Sequence, residues 1–346
     1  MKAVSTLLDG VVDLNDVARG DGYLFVHQGV GFAGRGVAAR VQVDEAVDLL
    51  SSIDHEDHGS GANGPIALGA LPFLPGAPAE LVVPEVLVGK SSDGRQWVTS
   101  IDDARLDADH SAEPTPSAAS FSIDPGVEIP HYLAAVAAAR DAVRDGRMDK
   151  AVIARPIHVT SDRPIDVHAV LRRLKATFAT SYRFSIDGLI GASPELLVGV
   201  DGDTVSAHPL AGTTPTTGDP ELDARLAAEL QASPKNQIEH RAAIEMVRDT
   251  LLPYCSYLDW APEPSIGKVA NVQHLGSQAE GRLSKPTPSV VELVRALQPT
   301  PAVGGYPREA AIDLILDVEG FERGRYGGAV GWVDAGGDGK WAVSLR

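Results

Sequence analysis

The stretch that most restricts what this chain can fold into runs from Phe184 to Val205. Phe184, Ile186, Leu189 and Ile190 precede Gly191-Ala192-Ser193-Pro194-Glu195-Leu196-Leu197, and Val198, Val200, Asp201-Gly202 and Val205 follow. Apolar residues alternating about an Asp-Gly step predict a β-hairpin. Glu195 stands where the chain enters that hairpin, between a proline and two leucines. A carboxyl group with such neighbours has a raised pKa and can hold a proton near neutral pH. Composition alone favours a solvated glutamate at a strand edge.

With 346 residues the chain is long enough for two average domains or one large one, and its 44% apolar content suits a globular protein with a core. The net charge of −17 argues against a nucleic-acid partner and against an anionic membrane surface. It leaves room for an anionic small substrate, because a few local cations and a metal reverse the local field. Cys255 is the only cysteine, so no intrachain disulfide forms and a cytoplasmic setting is expected. The N-terminal run from Met1 is interrupted at Asp9, too early for a signal peptide. No run of about 18 apolar residues suggests a transmembrane helix.

Residues 1–125 read as β-rich and loop-rich. Tyr23-Leu24-Phe25-Val26 and Gly36 to Val41 are strand candidates, and Ser92 to Val98 reads as a turn entering a strand. His55 and His58 could hold a metal, but the glycines at 59 and 61 predict a mobile loop, and metal sites need rigid ligands. His110 to Ser120 reads as a connecting loop. From Pro130 the pattern turns helical, with Leu133, Val136, Ala137 and Val143 on one face and Gly146 closing the segment. Lys150 to Arg155 predicts a short buried strand with Lys150 at its entrance, and residues 166–178 a helix. Ser233-Pro234 is a strong helix start, with Ile238, Ala242, Val247 and Leu251 as a buried stripe and Glu239 and His240 in the second turn. Val269 to Leu275 predicts a strand carrying His274. Helices are expected over Val290 to Leu297 and after Pro307. A final hairpin spans Tyr326 to Val333 and Lys340 to Arg346.

Several polar groups therefore sit in or beside apolar strands: Lys150, Glu195, His274 and Arg346, with Glu239 near a helix start. An acid, a base, a cation and a metal-type carboxylate suit an enzyme. Each also has a bland reading: a strand-end charge for Lys150, a core histidine for His274, a helix-dipole partner for Glu239. There is no phosphate loop, dinucleotide fingerprint or nucleophile elbow.

The ordered motifs add more. Lys150-Ala151-Val152-Ile153-Ala154-Arg155, Gly191 to Glu195, Pro209-Leu210-Ala211-Gly212-Thr213, Lys235 through Glu239-His240, and Val272-Gln273-His274-Leu275 are followed by Pro299 to Gly305 and Glu322 to Gly328. Together they resemble the chorismate-utilising enzymes, most closely isochorismate synthase. The resemblance is strong over residues 130–346 and loose over the first 125.

The resemblance implies an α+β fold: a single large domain with two packed β-sheets and outer helices, in which residues 1–125 form the N-terminal β-rich part and 126–346 the chorismate-binding part. It implies Mg²⁺-dependent attack of water at C2 of chorismate with loss of the C4 hydroxyl. Lys150 is then the base that activates water, Glu195 the acid that protonates the leaving group, and His274 a partner of the ring hydroxyl region. Glu239 resembles a Mg²⁺ ligand, Arg346 holds the side-chain carboxylate, and the backbone at Ala211, Gly212 and Thr213 helps bind a carboxylate. Lys150 together with Ala211 favours water over ammonia or a lysine as nucleophile. That leaves isochorismate synthase, salicylate synthase, or a non-catalytic chorismate binder, and it leaves open a siderophore, salicylate or menaquinone pathway. Two positions depart from the pattern: Gln298, where a His often stands, and Asn236, which is often acidic in relatives. Relatives also continue into a loop and helix with further metal carboxylates, so the chain is expected to be cut short after Arg346. A monomer is expected.

Overall fold

The alternation around Glu195 resolves into two hairpins, one in each of two large sheets. Tyr182–Ile186 and Leu189–Ser193 pair antiparallel across Asp187-Gly188, both at positive φ (46° and 80°), the backbone that a right-twisting two-residue turn requires. Leu196–Asp201 and Thr204–His208 pair across Gly202-Asp203. The first hairpin supplies the edge of an eight-stranded sheet and the second lies inside a nine-stranded one. Pro194-Glu195 is therefore the step on which the chain passes between sheets, where the sequence alone suggested one hairpin.

The computed structural model of the protein describes residues 1–106 and 120–346. The connecting loop expected from His110 onward lies outside the described residues, apart from Ser120. The eight-stranded sheet runs in the order Leu189–Ser193, Tyr182–Ile186, Tyr23–His27, Val30–Arg35, Val86–Lys90, Gln96–Ile101, Lys2–Leu7, Asp54–His58. Only its last pair is parallel. The nine-stranded sheet combines Ala39–Gln42, Glu80–Val83 and Ile66–Leu71 with Ala329–Asp334, Gly339–Val343 and the second hairpin, and ends with Ala279–Leu283 and Cys255–Trp260. Both sheets thus mix strands from before residue 125 with strands from after it.

Side chains alternate across each strand, so every strand offers a residue to either face. Between the sheets, Tyr23, Phe25, Phe184 and Ile186 meet Leu68, Val82, Val330 and Ala342. On the far side of the first sheet, Leu24, Val26 and Val88 are covered by helices Leu14–Ala18 and Val167–Thr177. On the far side of the second, Leu197, Val205 and Trp341 share a core with helices Pro234–Leu251 and Val290–Leu297. Each fully buried large side chain contributes about 1.5–3 kcal/mol, which makes these three clusters the main cohesion of the fold. The four-layer α+β arrangement, two sheets packed together with helices outside, is the architecture expected above.

Several local expectations change. Val269 to Leu275 is a hairpin, Ser265–Val269 against Val272–Gly276. Only Lys150–Ala151 of the segment up to Arg155 is strand, and it is part-buried. His55 and His58 lie on the edge strand Asp54–His58, and His55 Nε2 is 2.9 Å from Ser5 Oγ. Helix Ile129–Arg144 buries Ala135, Ala139 and Ala142 and leaves Leu133 and Val136 exposed. Small side chains let it lie close to Lys150–Ala151 and helix Arg308–Val318. In Pro234–Leu251, Ile238 is exposed and the buried face uses Ala243, Ile244, Val247 and Leu251.

Candidate active site

Lys150, Glu195, Ala211, Gly212, Thr213, Glu239, His274 and Arg346 all border one cavity of about 110 Å³, joined by Pro194, Leu210, Ala302 and Leu345. They come from separate elements, and each element holds its residue for a local reason.

Glu195 sits at the crossing between sheets and is only 3% exposed. Its carbonyl accepts from Val343 N–H at 3.1 Å, and its own N–H donates to Ser193 Oγ at 3.3 Å. Burial pushes its carboxyl up to about 8, although the Leu210 N–H and the charges of Lys150 and Arg346 pull the other way. The group is therefore a protonated acid at pH 7.

Lys150 opens a two-residue strand paired with Gly305–Tyr306. Gly305 lies at φ 151°, and a Cβ there would meet the Lys150 carbonyl oxygen at 2.3 Å, so this close approach needs glycine. Beyond Ala151 the backbone is held by side chains. Arg323 donates to the carbonyls of Val152 and Val303, each at 2.7 Å, and Glu319 accepts from Ala154 N–H at 2.7 Å. Arg323 and Glu319 also pair with each other, with side chains 2% and 1% exposed. Val152 N–H also donates to the Gly304 carbonyl at 2.8 Å, so one main-chain bond and these side chains together stand in for a continued ladder.

Glu239 lies in the second turn of Pro234–Leu251, which Ser233 caps by accepting from Asn236 N–H at 3.4 Å. The Lys150 ammonium donates to Glu239 Oε1 at 2.7 Å, with side chains 18% and 30% exposed. His240, next in the chain, turns away: it is buried, with Nε2 2.9 Å from Ser277 Oγ.

Gly212 is the bulged residue where Leu210–Pro215 pairs with Val272–Gly276, at φ 74°. The bulge turns its carbonyl onto His274. Nδ1 of His274 lies 3.1 Å from Gly212 O and 3.0 Å from Thr213 Oγ1, and Arg346 Nη2 lies 3.1 Å from Nε2. Burial and then the Arg346 charge lower the imidazole pKa. Burial also lowers the Arg346 pKa, against Glu195. The Arg346 carbonyl accepts from Ala192 N–H at 2.9 Å, tying the last strand to the edge of the eight-stranded sheet.

Among the described residues no group of three or more His, Cys, Asp or Glu could hold a metal ion. Glu239 is the one carboxylate here of ligand type. Oε1 is on Lys150, and among the described residues no hydrogen bond reaches Oε2. This donor set fits a magnesium ion that keeps most of its water, since Mg²⁺ takes hard oxygen ligands and binds through one or two carboxylates.

Sequence reasoning missed Ala302 and Leu345 on the wall and the Glu319–Arg323 pair behind Lys150. Ala302 and Arg323 fall inside quoted motifs, whereas Glu319 carried no local signal. A second cavity, about 880 Å³, shares Pro194 and Leu210 with this one.

Residues 77–346 match the model of the chorismate binding enzyme family. MenF of Mycobacterium tuberculosis (strain H37Rv) is 40% identical over 296 residues, 82% of this chain and 75% of that one. Isochorismate synthase DhbC of Bacillus subtilis (strain 168) is 37% identical over 298 residues, 83% of this chain and 72% of that one. The structure of Escherichia coli MenF, the menaquinone-specific isochorismate synthase, superposes with a TM-score of 0.84. It covers 99% of this chain and 84% of that one at 23% identity, a likeness of fold.

Proposed function

The chain belongs to the chorismate-binding enzyme family, and from that premise we propose that it is an isochorismate synthase, adding water at C2 of chorismate and expelling the C4 hydroxyl. The observation that carries the reading is the meeting of Lys150, an amine, and Glu195, a carboxyl pushed up to about 8, on the wall of one cavity.

In this reading the Lys150 ammonium, which donates to Glu239 in the resting site, first loses a proton to solvent; the water oxygen then bonds to C2 while one of its protons passes to the free amine Nζ. The ring double bonds shift and the C4–O bond breaks. The departing hydroxyl takes the carboxyl proton of Glu195 and leaves as water. One residue removes a proton and another supplies one, so the net charge of the pair changes little through the reaction. Arg346 holds a substrate carboxylate through its guanidinium fork. Once the substrate engages Arg346, Nε2 of His274 is released toward the ring hydroxyl region. The backbone from Ala211 to Thr213 receives a carboxylate.

Mg²⁺ belongs to the proposal through Glu239, the residue that would hold it. When bound it would neutralise the ring carboxylate. A cytoplasmic setting agrees with the single cysteine.

The test is a direct assay of chorismate conversion, following isochorismate by NMR, for the wild-type protein and for Lys150→Gln and Glu195→Gln. Isochorismate formation that is lost in both variants, with circular dichroism unchanged, is expected. Wild-type turnover in either variant would remove that residue from the mechanism. Salicylate and pyruvate as products would move the assignment to salicylate synthase.

A further inference from the structure

A buried arginine with no ion pair among the described residues lies on the opposite face of the eight-stranded sheet, away from the site above. Tyr182, Phe184 and Ile186 face the core between the sheets, so Arg183 points outward by the period of two. It lies beneath the chain that leads into helix Leu14–Ala18. It is 2% exposed. Nη1 donates to Asn15 Oδ1 at 3.2 Å, and Nε has no partner. Among the described residues no carboxylate pairs with it. Asp13, the acid whose charge acts on it, is already committed: it accepts from the Asn15 N–H at 3.0 Å and from the Asn15 side chain at 2.7 Å, and it pairs with Lys175.

Arg183 opens onto a cavity of about 350 Å³ whose wall also holds Lys90, Lys175 and Asp13. Three cations face one carboxylate there, in a chain of net charge −17. Among the described residues the Lys90 ammonium makes no ion pair. A buried guanidinium is destabilising unless its charge and N–H groups are met, and Asn15 meets one of five. Val12 and Leu14 give the same cavity an apolar side.

We propose that this cavity binds the oxyanion of a small molecule, a phosphate or a carboxylate, held between Arg183 and Lys90. The planar fork of Arg183 suits either anion. The site is tied to the catalytic one through a single strand pairing. Arg183 stands opposite Ala192, and the Ala192 N–H donates to the Arg346 carbonyl at 2.9 Å.

Isothermal titration of the full 346-residue chain with inorganic phosphate, and separately with acetate, at low ionic strength tests this. One saturable event is expected with at least one of the anions. Saturation by phosphate alone identifies a phosphate ligand, and by acetate alone a carboxylate. Lys90→Gln, a change at a part-exposed position, should weaken binding by about tenfold, and Arg183→Met should abolish it. Arg346→Gln should bind as the wild type does, because the anion is not in the catalytic cavity. Three results would each overturn the proposal: no saturable binding to the wild type, undiminished binding in folded Lys90→Gln, or loss of binding in Arg346→Gln. If Arg183→Met fails to fold, Lys90→Gln and Arg346→Gln still decide the question.

Discussion

Arg346 meets Nε2 of His274 at 3.1 Å, and this contact decides how the imidazole is used. A guanidinium can only donate, so Nε2 accepts and the ring proton sits on Nδ1. That proton is shared between the Gly212 carbonyl and the Thr213 hydroxyl. Burial and the Arg346 charge lower the His274 pKa below its ordinary 6.5. The ring is therefore neutral at pH 7, and its contribution to stability is complete above about 6.5 and declines as pH falls. Arg346→Gln should raise the His274 pKa toward the ordinary value. An NMR titration of the imidazole carbons checks it, and an unmoved titration would mean that burial alone sets the shift.

Glu195 sets the alkaline side. Its folded-state value of about 8 stands above the ordinary 4.5. In the proposed mechanism the protonated form serves as the acid, so kcat should fall as pH rises through about 8. Stability follows the same direction: it is complete below about 4.5 and erodes as pH rises toward 8, because ionising a buried carboxyl is unfavourable. Glu195→Gln removes that penalty. Relative to wild type, the variant should gain stability at pH 9 over pH 5 in urea unfolding while losing turnover.

Lys150→Gln should lower turnover by about 10²–10⁴, the usual range for a positioned base. Its ion pair with Glu239 is only half-buried, so the loss of stability should stay near about 1 kcal/mol. Glu239→Gln should weaken Mg²⁺ binding measured by calorimetry, in the presence of chorismate, without changing the far-ultraviolet spectrum. Equal Mg²⁺ affinity in the variant would place the metal ligand elsewhere.

The Glu319–Arg323 pair is the fold's most buried ion pair among the described residues, and it secures the segment behind Lys150. Arg323 also lies over the Phe73 ring at 4.3 Å. Glu319→Gln leaves the guanidinium uncompensated and should destabilise the protein by about 3–5 kcal/mol. The urea midpoint reads this directly. A shift below about 1 kcal/mol would mean that water reaches the pair.

Gly212→Ala tests the bulge that aims a carbonyl at His274. At φ 74° an added Cβ meets Asn236 Cβ at 3.3 Å and Leu230 Cδ1 at 3.4 Å. The strain of a left-handed alanine should cost about 1 kcal/mol. Displacement of the carbonyl should raise KM for chorismate more than the stability loss accounts for. A KM unchanged from wild type would separate the bulge from substrate binding.

What the sequence determined by itself is what acts over a few residues. The Asp-Gly step at 201–202 turns a hairpin, Ser233-Pro234 starts a helix, and the apolar neighbours of Glu195 foretell its raised pKa. The ordered motifs carried the family and the identity of every candidate residue on the cavity wall except Arg346, which lies beyond the last of them. Burial of particular faces was less legible. Leu133 and Ile238 occupy apolar positions that helical spacing alone would bury, yet neighbouring elements pack against Ala139 and Ala243. The strand-like run after Lys150 lost its ladder because Arg323 and Glu319, far along the chain, help satisfy its backbone. Only the tertiary structure decided that Lys150 meets Glu239 and Arg346 meets His274, across 89 and 72 residues of chain. The physical reason is that such contacts depend on sheet register and on where Pro194-Glu195 crosses from one sheet to the other. A side chain's local pattern records its own face and turn, and carries no information about which distant strand will lie opposite.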